Sequence, residues 1–407
     1  MSSRWAQIGI LWFIGVLAAA QLAKMAVLAP ALRNAFQLSL AQLGLLISLL
    51  EVGGASLGFV AGLLIGRFEA RRFLLAGLLV LALSGTTEAL ADQARLLFAA
   101  RAVEGIGYVL VVVAAPTMIA TAAGERERTA ALALWSTFVP VGMALGSWVT
   151  GVAAVPLGLG GMMLAWAAMS AVALALALRL PTTARGGPRR LALPAAAAWL
   201  SAASFGLYTT LVCALTALLP IYLVDRLGAT LPVASAVAAC VSLAALPGCA
   251  AMIVLMRRRP LGSRLTLLVS ALALAASAGP AAMVFGGGSS PMSVATSGAL
   301  ALAAVLLGGF APPLIMARLP LLSGADVAED PRLAMAQGLL TQFGAAGALI
   351  GPPLGGMVVG TWGWASLGPA VAGLTVAMLV VLGAAEWPAG RGARTATGPN
   401  GMGSSAC

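Results

Sequence analysis

The sequence predicts an all-α integral membrane protein, with twelve transmembrane helices arranged as two pseudo-symmetric six-helix bundles. Only 9% of its 407 residues are charged and 61% are hydrophobic, a balance that soluble domains of this length do not show. Twelve apolar stretches are long enough to cross a hydrocarbon core about 30 Å thick, which takes roughly 20 helical residues. The Arg residues between the stretches fall almost entirely in every second connector, which is the signature of alternating inner and outer loops.

The apolar stretches form two groups of six. The N-terminal group covers residues 8–30, 42–66, 72–91, 96–122, 129–153 and 157–179. The C-terminal group covers residues 195–224, 232–256, 264–285, 293–317, 333–359 and 364–385. We therefore predict an N-terminal domain over residues 1–180, a cytoplasmic linker over 181–194 and a C-terminal domain over 195–388. Residues 389–407 are rich in Gly, Ser and Thr without an apolar period, so they are predicted to be a disordered cytoplasmic tail.

The distribution of Arg predicts the orientation of the helices. With the N-terminus in the cytoplasm, eighteen Arg residues lie on the inner side and three, Arg33, Arg95 and Arg226, on the outer side. An even number of helices then places both termini in the cytoplasm. The Ala-, Gly- and Leu-rich composition, with Arg in place of Lys, suggests a bacterial inner membrane. Because the Arg residues are dispersed over many loops, the net charge of +11 reflects topology and predicts no nucleic-acid partner.

The sequence predicts no cofactor, no metal site and no enzymatic activity. It contains no His, and Cys213, Cys240 and Cys249 lie inside apolar stretches while Cys407 lies in the tail. No Cys pair has the spacing of a metal site or a partner in an outer loop. The sequence also shows no nucleophile–base pair and no Walker A motif, so neither catalysis nor direct ATP coupling is expected. The expected partners are the lipid bilayer and a small-molecule substrate, and the protein is expected to be a monomer.

The eleventh stretch carries a pattern of small residues that recurs in the first half. It reads G-x-x-x-G-P-x-x-G-G over Gly347, Gly351, Pro352, Gly355 and Gly356. In the fifth stretch, 205 residues earlier, residues 142–151 repeat the pattern with Ser and Thr at two of its positions. Small residues spaced by four allow two helix backbones to approach closely, and Pro permits a bend. Tight packing is the prediction, with a functional role for the pattern left open.

Two further motifs complete a resemblance to a known family. Residues 62–72 between the second and third stretches read GLLIGRFEARR, and residues 101–107 in the fourth stretch read RAVEGIG. With the twelve stretches, the central linker and the G-P-x-x-G-G pattern, the chain resembles the major facilitator superfamily of secondary transporters from about residue 5 to 388. The resemblance implies alternating access of a substrate bound between the two six-helix domains.

The loop motif departs from the family pattern at two positions. Gly66 stands where the family usually has Asp, and Glu69 stands where it has a second Gly. In the family, such a cluster stabilises one conformation through cytoplasmic ion pairs, so the resemblance implies a cytoplasmic gate motif here. The residues assigned to this gate are Gly62, Arg67, Glu69, Arg71 and Arg72. The same Arg residues also fit a purely topological role.

Charged residues within the apolar stretches are the strongest candidates for a functional site, because each is costly in a membrane unless it is paired or faces water. Lys24, Glu51, Arg101 and Glu104 are predicted to lie roughly 10, 15, 9 and 14 Å below the outer surface, in one layer of the N-terminal domain. This layer is predicted to be a substrate or proton-coupling site, with a structural ion-pair network as the alternative. Glu88 is predicted to be solvated at the interface.

The C-terminal half is predicted to contribute no buried charge. Its polar candidates are Tyr208, Thr209, Thr210, Tyr222, Met316, Gln337, Thr341 and Gln342. The predicted function is proton-coupled transport of a small organic anion, with Lys24 or Arg101 binding the anion and Glu104 or Glu51 carrying the proton. Proton-driven efflux of amphipathic drugs or metabolites is the first alternative. A non-transporting sensor or assembly factor of the same fold is the second.

Overall fold

The computed structural model describes residues 2–56, 69–181, 193–258, 264–286, 292–324 and 331–395, and in these ranges it is helical with no strand. The helices of the first half are α1 (Ser2–Phe36), α2 (Leu40–Ser48), α3 (Ala70–Ala89), α4 (Ala94–Trp135) and α5 (Phe138–Ala177). Those of the second half are α6 (Ala196–Asp225), α7 (Leu231–Leu243), α8 (Ala245–Arg258), α9 (Arg264–Met283), α10 (Val294–Gly308), α11 (Ala311–Leu322), α12 (Pro331–Trp362) and α13 (Leu367–Thr395). Short 3₁₀ helices cover Leu49–Glu51 and Trp364–Ser366.

The described helices account for the twelve predicted spans. Within the described ranges, ten helical segments are long and apolar enough to cross a membrane, with α7 and α8 counted as one segment and α10 and α11 as another. One of these segments, α5, contains a break at Gly158, where φ is 68°, and so includes most of the fifth span and most of the sixth. Glycine suits this position because side chains are strained at positive φ. The second span begins in the apolar helix Leu40–Ser56 and continues into residues 57–68, which lie outside the described residues.

Three of the spans are interrupted near their middle. The second changes to a 3₁₀ turn at Leu49–Glu51, the eighth divides between α7 and α8, and the tenth divides between α10 and α11. The last two breaks pack on each other, since Cys249 Sγ in α8 donates to the Gly309 carbonyl oxygen at 3.1 Å. At the C-terminus, α13 continues to Thr395, past residue 389, where the disordered tail was predicted to begin. Most of the predicted linker, residues 182–192, lies outside the described residues.

The repeated glycine pattern makes the same packing contact in each half. A Cβ added to Gly142 or Gly146 would lie 2.5 Å from a carbonyl oxygen of α1, that of Val16 or Ala20. A Cβ added to Gly347 or Gly351 would lie 2.0 or 2.3 Å from the carbonyl oxygens of Gly206 and Thr210 in α6. The contacted carbonyls are four residues apart in both cases. The fifth span therefore packs on the first as the eleventh packs on the seventh, and the two halves share one internal arrangement.

Two helix pairs make the most extensive contacts between the halves. The helix α2 packs on α12, where a Cβ on Gly44 would lie 2.3 Å from the Pro352 carbonyl oxygen and one on Gly356 would lie 2.3 Å from that of Leu40. The helix α5 packs on α7, where a Cβ on Gly151 would lie 1.7 Å from Ser235 Oγ. We call these contacts the two seams. Both lie toward the helix ends that the topology prediction assigns to the outer side of the membrane.

An exposed ion pair lies at the same end of the molecule. Arg33 Nη1 near the end of α1 donates to Asp225 Oδ2 at the end of α6, at 2.9 Å. It joins the two halves on the predicted outer side, where the seams also lie. The halves are thus held together at their outer ends, and a cavity opens between them on the other side.

Candidate functional site

A sealed cluster of charged side chains lies inside the N-terminal half. Lys24 Nζ of α1 donates to Glu88 Oε2 of α3 at 2.7 Å and to Glu104 Oε1 of α4 at 2.8 Å. Lys24 and Glu104 are 0% exposed and Glu88 is 2% exposed. Because a lone charge is expensive in this environment, the pairing explains how a lysine can lie in the middle of an apolar helix.

Arg101 joins this cluster to the broken second span. Its guanidinium pairs with Glu104, three residues further along α4, and both side chains are 0% exposed. It also donates to the carbonyl oxygens of Leu46 and Ile47, each at 3.2 Å. These two carbonyls belong to the last turn of α2, where the α-helical hydrogen bonds end and carbonyl oxygens lack regular partners. Arg101 thus supplies the donors that the transition to the 3₁₀ turn requires.

The four side chains of the cluster, Lys24, Glu88, Arg101 and Glu104, balance their charges, with two cations facing two carboxylates. The sequence prediction placed Glu51 in this layer and left Glu88 at the interface. The structure contradicts the interfacial position of Glu88, because α3 rotates it inward. The signal was present in the sequence, since Leu74, Leu78 and Leu81 lead to Glu88 at helical spacing on the buried face of α3.

Glu51 makes no ion pair or hydrogen bond with the cluster among the described residues. It ends the 3₁₀ turn Leu49–Glu51, is partly exposed, and the described residues provide no ion-pair or hydrogen-bond partner for its carboxylate. A Cβ added to Gly54 would lie 3.5 Å from Glu51 Oε2 and 2.8 Å from Ala345 Cβ of α12. The carboxylate is therefore close to α12. Glu51 is therefore an unpaired intramembrane carboxylate beside the α2–α12 seam between the two halves.

A cavity of about 400 Å³ begins one turn further along the second span. Its wall includes Ala55 of that span, Trp199 of α6, and Gln342 and Phe343 of α12. The rings of Trp199 and Phe343 meet edge to face, with centroids 6.4 Å apart. Gln342 Nε2 donates to the Ala55 carbonyl oxygen at 3.0 Å across the halves. This cavity is apolar and aromatic, with an amide group in its wall and Glu51 nearby.

The other polar candidates of the C-terminal half do not share one site. Tyr222 packs with Phe285 and Trp364, with ring centroids 5.3 and 5.1 Å away, toward the outer end of α6. Met316 is 54% exposed on the outside of α11. The Thr209 and Thr210 hydroxyls donate to the Gly206 carbonyl oxygen within α6. Gln342 is the candidate that lies against the cavity.

The described part of the predicted gate motif makes contacts within the N-terminal half. Arg72 Nε donates to Glu69 Oε2 at 3.2 Å, and Arg71 Nη2 donates at 2.7 Å to the carbonyl oxygen of Leu178, just past the end of α5. A basic side chain at a helix C-terminus is favoured because it satisfies the final carbonyls and the helix dipole. Gly62 and Arg67 lie outside the described residues.

The C-terminal half does contain a buried ion pair, contrary to the sequence prediction. Both carboxylate oxygens of Glu386 in α13 accept hydrogen bonds from the Arg318 guanidinium in α11, and the side chains are 7% and 16% exposed for Arg318 and Glu386. The prediction ended the tenth span at residue 317 and assigned Arg318 to a loop. The apolar residues after Arg318 (LPLL) continue the helix to Leu322 and place Arg318 inside it.

Comparison with known proteins gives a family and a relative of similar sequence. The sequence model of the family described as Major Facilitator Superfamily matches residues 11–326 of this chain. The methylenomycin A resistance protein of Streptomyces coelicolor (strain ATCC BAA-471 / A3(2) / M145) is 33% identical over 157 residues, which is 38% of this chain. The aligned part spans 33% of that relative's length.

Solved structures of low sequence identity show the same fold. A bacterial homologue of the human lysosomal transporter Spinster, in an inward-facing and occupied conformation, matches with a TM-score of 0.72 and 17% identity, over 96% of this chain and 97% of that one. The nucleoside transporter NupG matches with a TM-score of 0.69 and 15% identity, over 93% of this chain and 98% of that one. At these identities the likeness concerns the arrangement of helices alone.

Proposed function

Because this chain belongs to the Major Facilitator Superfamily and is one of its transporters, we propose that it exports an amphipathic compound in exchange for protons. The observation that carries the proposal is the unpaired Glu51 beside an apolar, aromatic cavity between the two halves. Transport would proceed by alternating access, with the halves closing the cavity on one side while they open it on the other.

The charge balance of the N-terminal cluster favours an amphipathic compound over the predicted organic anion. Lys24 and Arg101 were expected to bind the anion. Each is 0% exposed and paired with a carboxylate, so an anion would have to displace Glu88 or Glu104 to reach them. Breaking a buried pair costs about 3–5 kcal/mol, which exceeds the roughly 1.5–3 kcal/mol that one charged hydrogen bond typically returns. The organic anion stays a prediction that the experiment below tests.

Glu51 suits the proton-coupling role better than Glu104. Glu104 accepts from both Lys24 and Arg101 and is 0% exposed, so water does not reach its carboxylate. Glu51 is partly exposed and borders the surface that must separate when the halves move. Intramembrane carboxylates that face a cavity commonly mark proton pathways. Opening and closing of the cavity would expose Glu51 to one side of the membrane and then to the other.

The similarity to the methylenomycin A resistance protein is consistent with export. It covers a third of that protein, so the substrate is not transferred from it. The Arg distribution supports a cytoplasmic membrane location with both termini inside, as the positive-inside rule predicts. In this orientation the seams and the Arg33–Asp225 pair close the outer side, and the cavity is open toward the cytoplasm.

Reconstitution tests the proposal. Proteoliposomes with an imposed pH gradient should accumulate an amphipathic dye, and Glu51→Gln should abolish this accumulation while it preserves gradient-free exchange of the dye. Asp92→Asn, in an exposed loop, is the matched control and should transport normally. Cationic, neutral and anionic analogues of one shape should be compared. Preference for the anion would restore the organic-anion prediction, and full proton coupling in Glu51→Gln would remove Glu51 from the mechanism.

A further inference from the structure

A second cavity lies entirely inside the C-terminal half, away from the proposed transport pathway. It has a volume of about 170 Å³ and is bounded by α6, α9, α11 and α13. Its deep wall is buried, with Leu314 and Ile315 each 2% exposed, while Gly383 on α13 is exposed at its edge. The cavity is therefore a crevice with a buried, apolar base and an exposed edge at Gly383 of α13.

The crevice contains a polar group without a partner among the described residues. Ser201 of α6 lines the crevice and is 0% exposed, and no described residue hydrogen-bonds to its hydroxyl. A buried hydroxyl that lacks a partner is unfavourable, and such groups are rare in native structures. A ligand in the crevice that brings a hydrogen-bond acceptor would satisfy it.

The Arg318–Glu386 ion pair forms the polar border of the same crevice. The two charges cancel, but Glu386 is the more exposed partner, at 16% against 7% for Arg318. Carboxylate oxygens can each accept more than one hydrogen bond. The accessible part of this border therefore favours a group that donates hydrogen bonds and carries positive charge.

We propose that the crevice binds a phospholipid of the cytoplasmic leaflet with a primary ammonium headgroup, which is the chemistry of phosphatidylethanolamine. The ammonium donates to Glu386, an ester carbonyl accepts from Ser201, and part of one acyl chain packs on Leu314 and Ile315. A dry cavity of about 150 Å³ holds a molecule the size of benzene, so this volume suits a short stretch of chain.

The depth of the crevice fits this ligand. Ser201 lies five residues from the start of α6 and Arg318 lies four residues from the end of α11. At 1.5 Å per residue both are roughly 6–8 Å from the ends of their helices that the topology prediction places in the cytoplasm. This is the level at which ester groups and the first methylenes of a lipid lie, next to the headgroup region.

Native mass spectrometry of the purified full-length protein tests the assignment. After delipidation, the protein is titrated with ethanolamine, choline and glycerol phospholipids of identical acyl chains. We expect retention of the ethanolamine lipid to exceed that of the choline lipid by about threefold to tenfold, since a quaternary ammonium cannot donate to Glu386. Equal retention of the three lipids would overturn the proposal.

Three variants separate a specific site from general lipid contact. Gly383→Trp fills the mouth of the crevice, where a Cβ meets nothing within 4 Å, and should abolish the preference. Val380→Trp, on the exposed face of the same helix, is the matched control and should keep it. Ser201→Ala should raise the melting temperature of delipidated protein, because an unpaired hydroxyl is removed, and lower ethanolamine-lipid retention by about twofold to tenfold.

Ser201→Ala should raise the melting temperature and lower lipid retention. These opposite changes distinguish lost binding from poor folding, which would lower both. A higher melting temperature with unchanged lipid retention would show that the crevice holds only water, and would overturn the proposal. Loss of retention in Val380→Trp as well as Gly383→Trp would show unspecific contact with the surface, and would also overturn it. Proton-driven transport by Glu51 does not enter this experiment, so the two proposals fail independently.

Discussion

The two halves share one helix arrangement but differ in where they place their buried charges. The N-terminal half holds four charged side chains in a closed cluster that joins α1, α3 and α4. The C-terminal half holds one ion pair among its described residues, Arg318–Glu386, which is partly exposed and joins α11 to α13 near the predicted cytoplasmic side. The first is sealed from every cavity described, and the second borders one of them.

This difference shows that packing symmetry does not require electrostatic symmetry. The repeated glycines make equivalent backbone contacts in both halves, whereas the buried charges of the described residues have no counterpart across the repeat. A neutral, closed cluster makes the N-terminal half dependent on complete pairing. A single pair at the edge of a crevice leaves the C-terminal half less dependent on charge and open to a ligand.

The largest expected effect comes from breaking the closed cluster. Lys24→Met leaves Glu88 and Glu104 buried with one cation, and should lower the free energy of unfolding by about 3–5 kcal/mol. Thermal unfolding of the detergent-purified protein measures the loss. Adding Glu88→Gln to Lys24→Met restores charge balance and should recover part of the stability. An unchanged melting temperature in Lys24→Met would show that the cluster does not stabilise the fold.

Breaking the pair in the other half should cost less. Arg318→Met leaves Glu386 partly exposed, so water can solvate its carboxylate. We expect a loss of about 1.5–3 kcal/mol, the contribution typical of hydrogen bonds to charged groups. The same unfolding measurement provides a direct ranking of the two halves. A loss equal to or larger than that of Lys24→Met would contradict the proposed difference.

The equivalent glycine contacts predict that matched substitutions destabilise the two halves equally. Gly146→Ala and Gly351→Ala each place a methyl group against a carbonyl oxygen, and each should destabilise the protein by about 1–3 kcal/mol. Gly373→Ala, where a Cβ meets nothing within 4 Å, is the control and should be neutral. Strongly unequal losses for Gly146 and Gly351 would show that the halves do not pack equivalently.

The smallest effect is expected at the exposed pair between the halves. Arg33 and Asp225 have side chains 43% and 25% exposed, so their contact is screened by water. Arg33→Gln should change the free energy of unfolding by less than about 1 kcal/mol, with the difference disappearing at high salt. Unfolding curves at low and high salt check this. A large, salt-independent loss would indicate that the pair contributes far more than its exposure suggests.

Features that depend on the length of apolar runs and on the spacing of small residues could be predicted from the sequence. The twelve spans and the family follow from apolar runs and short motifs, and the Gly347 pattern identified the face of α12 on which other helices pack. The identity of the cluster could be predicted only in part. Lys24, Arg101 and Glu104 were recognised because each interrupts an apolar run.

The rest depends on how helices rotate and where they end. Glu88 pairs with Lys24 because α3 turns it toward α1, and span depth alone does not specify that rotation. Glu51 makes no pair with the cluster because it lies in the 3₁₀ turn of the second span, where side chains point in other directions than in a continuous α-helix. Arg318 was missed because the predicted tenth span ended at the residue before it.

The seams between the halves are made largely of glycine and backbone atoms, and this composition affects the equilibrium between the two states of the proposed cycle. A larger residue at Gly44, Gly151 or Gly356 would raise the energy of the form that is closed on the outer side without a comparable penalty in the form that opens there. Each difference of about 1.4 kcal/mol changes the ratio of the two populations about tenfold. Single methyl groups at these positions would therefore change the ratio of the two conformations in the absence of substrate, without altering the substrate site.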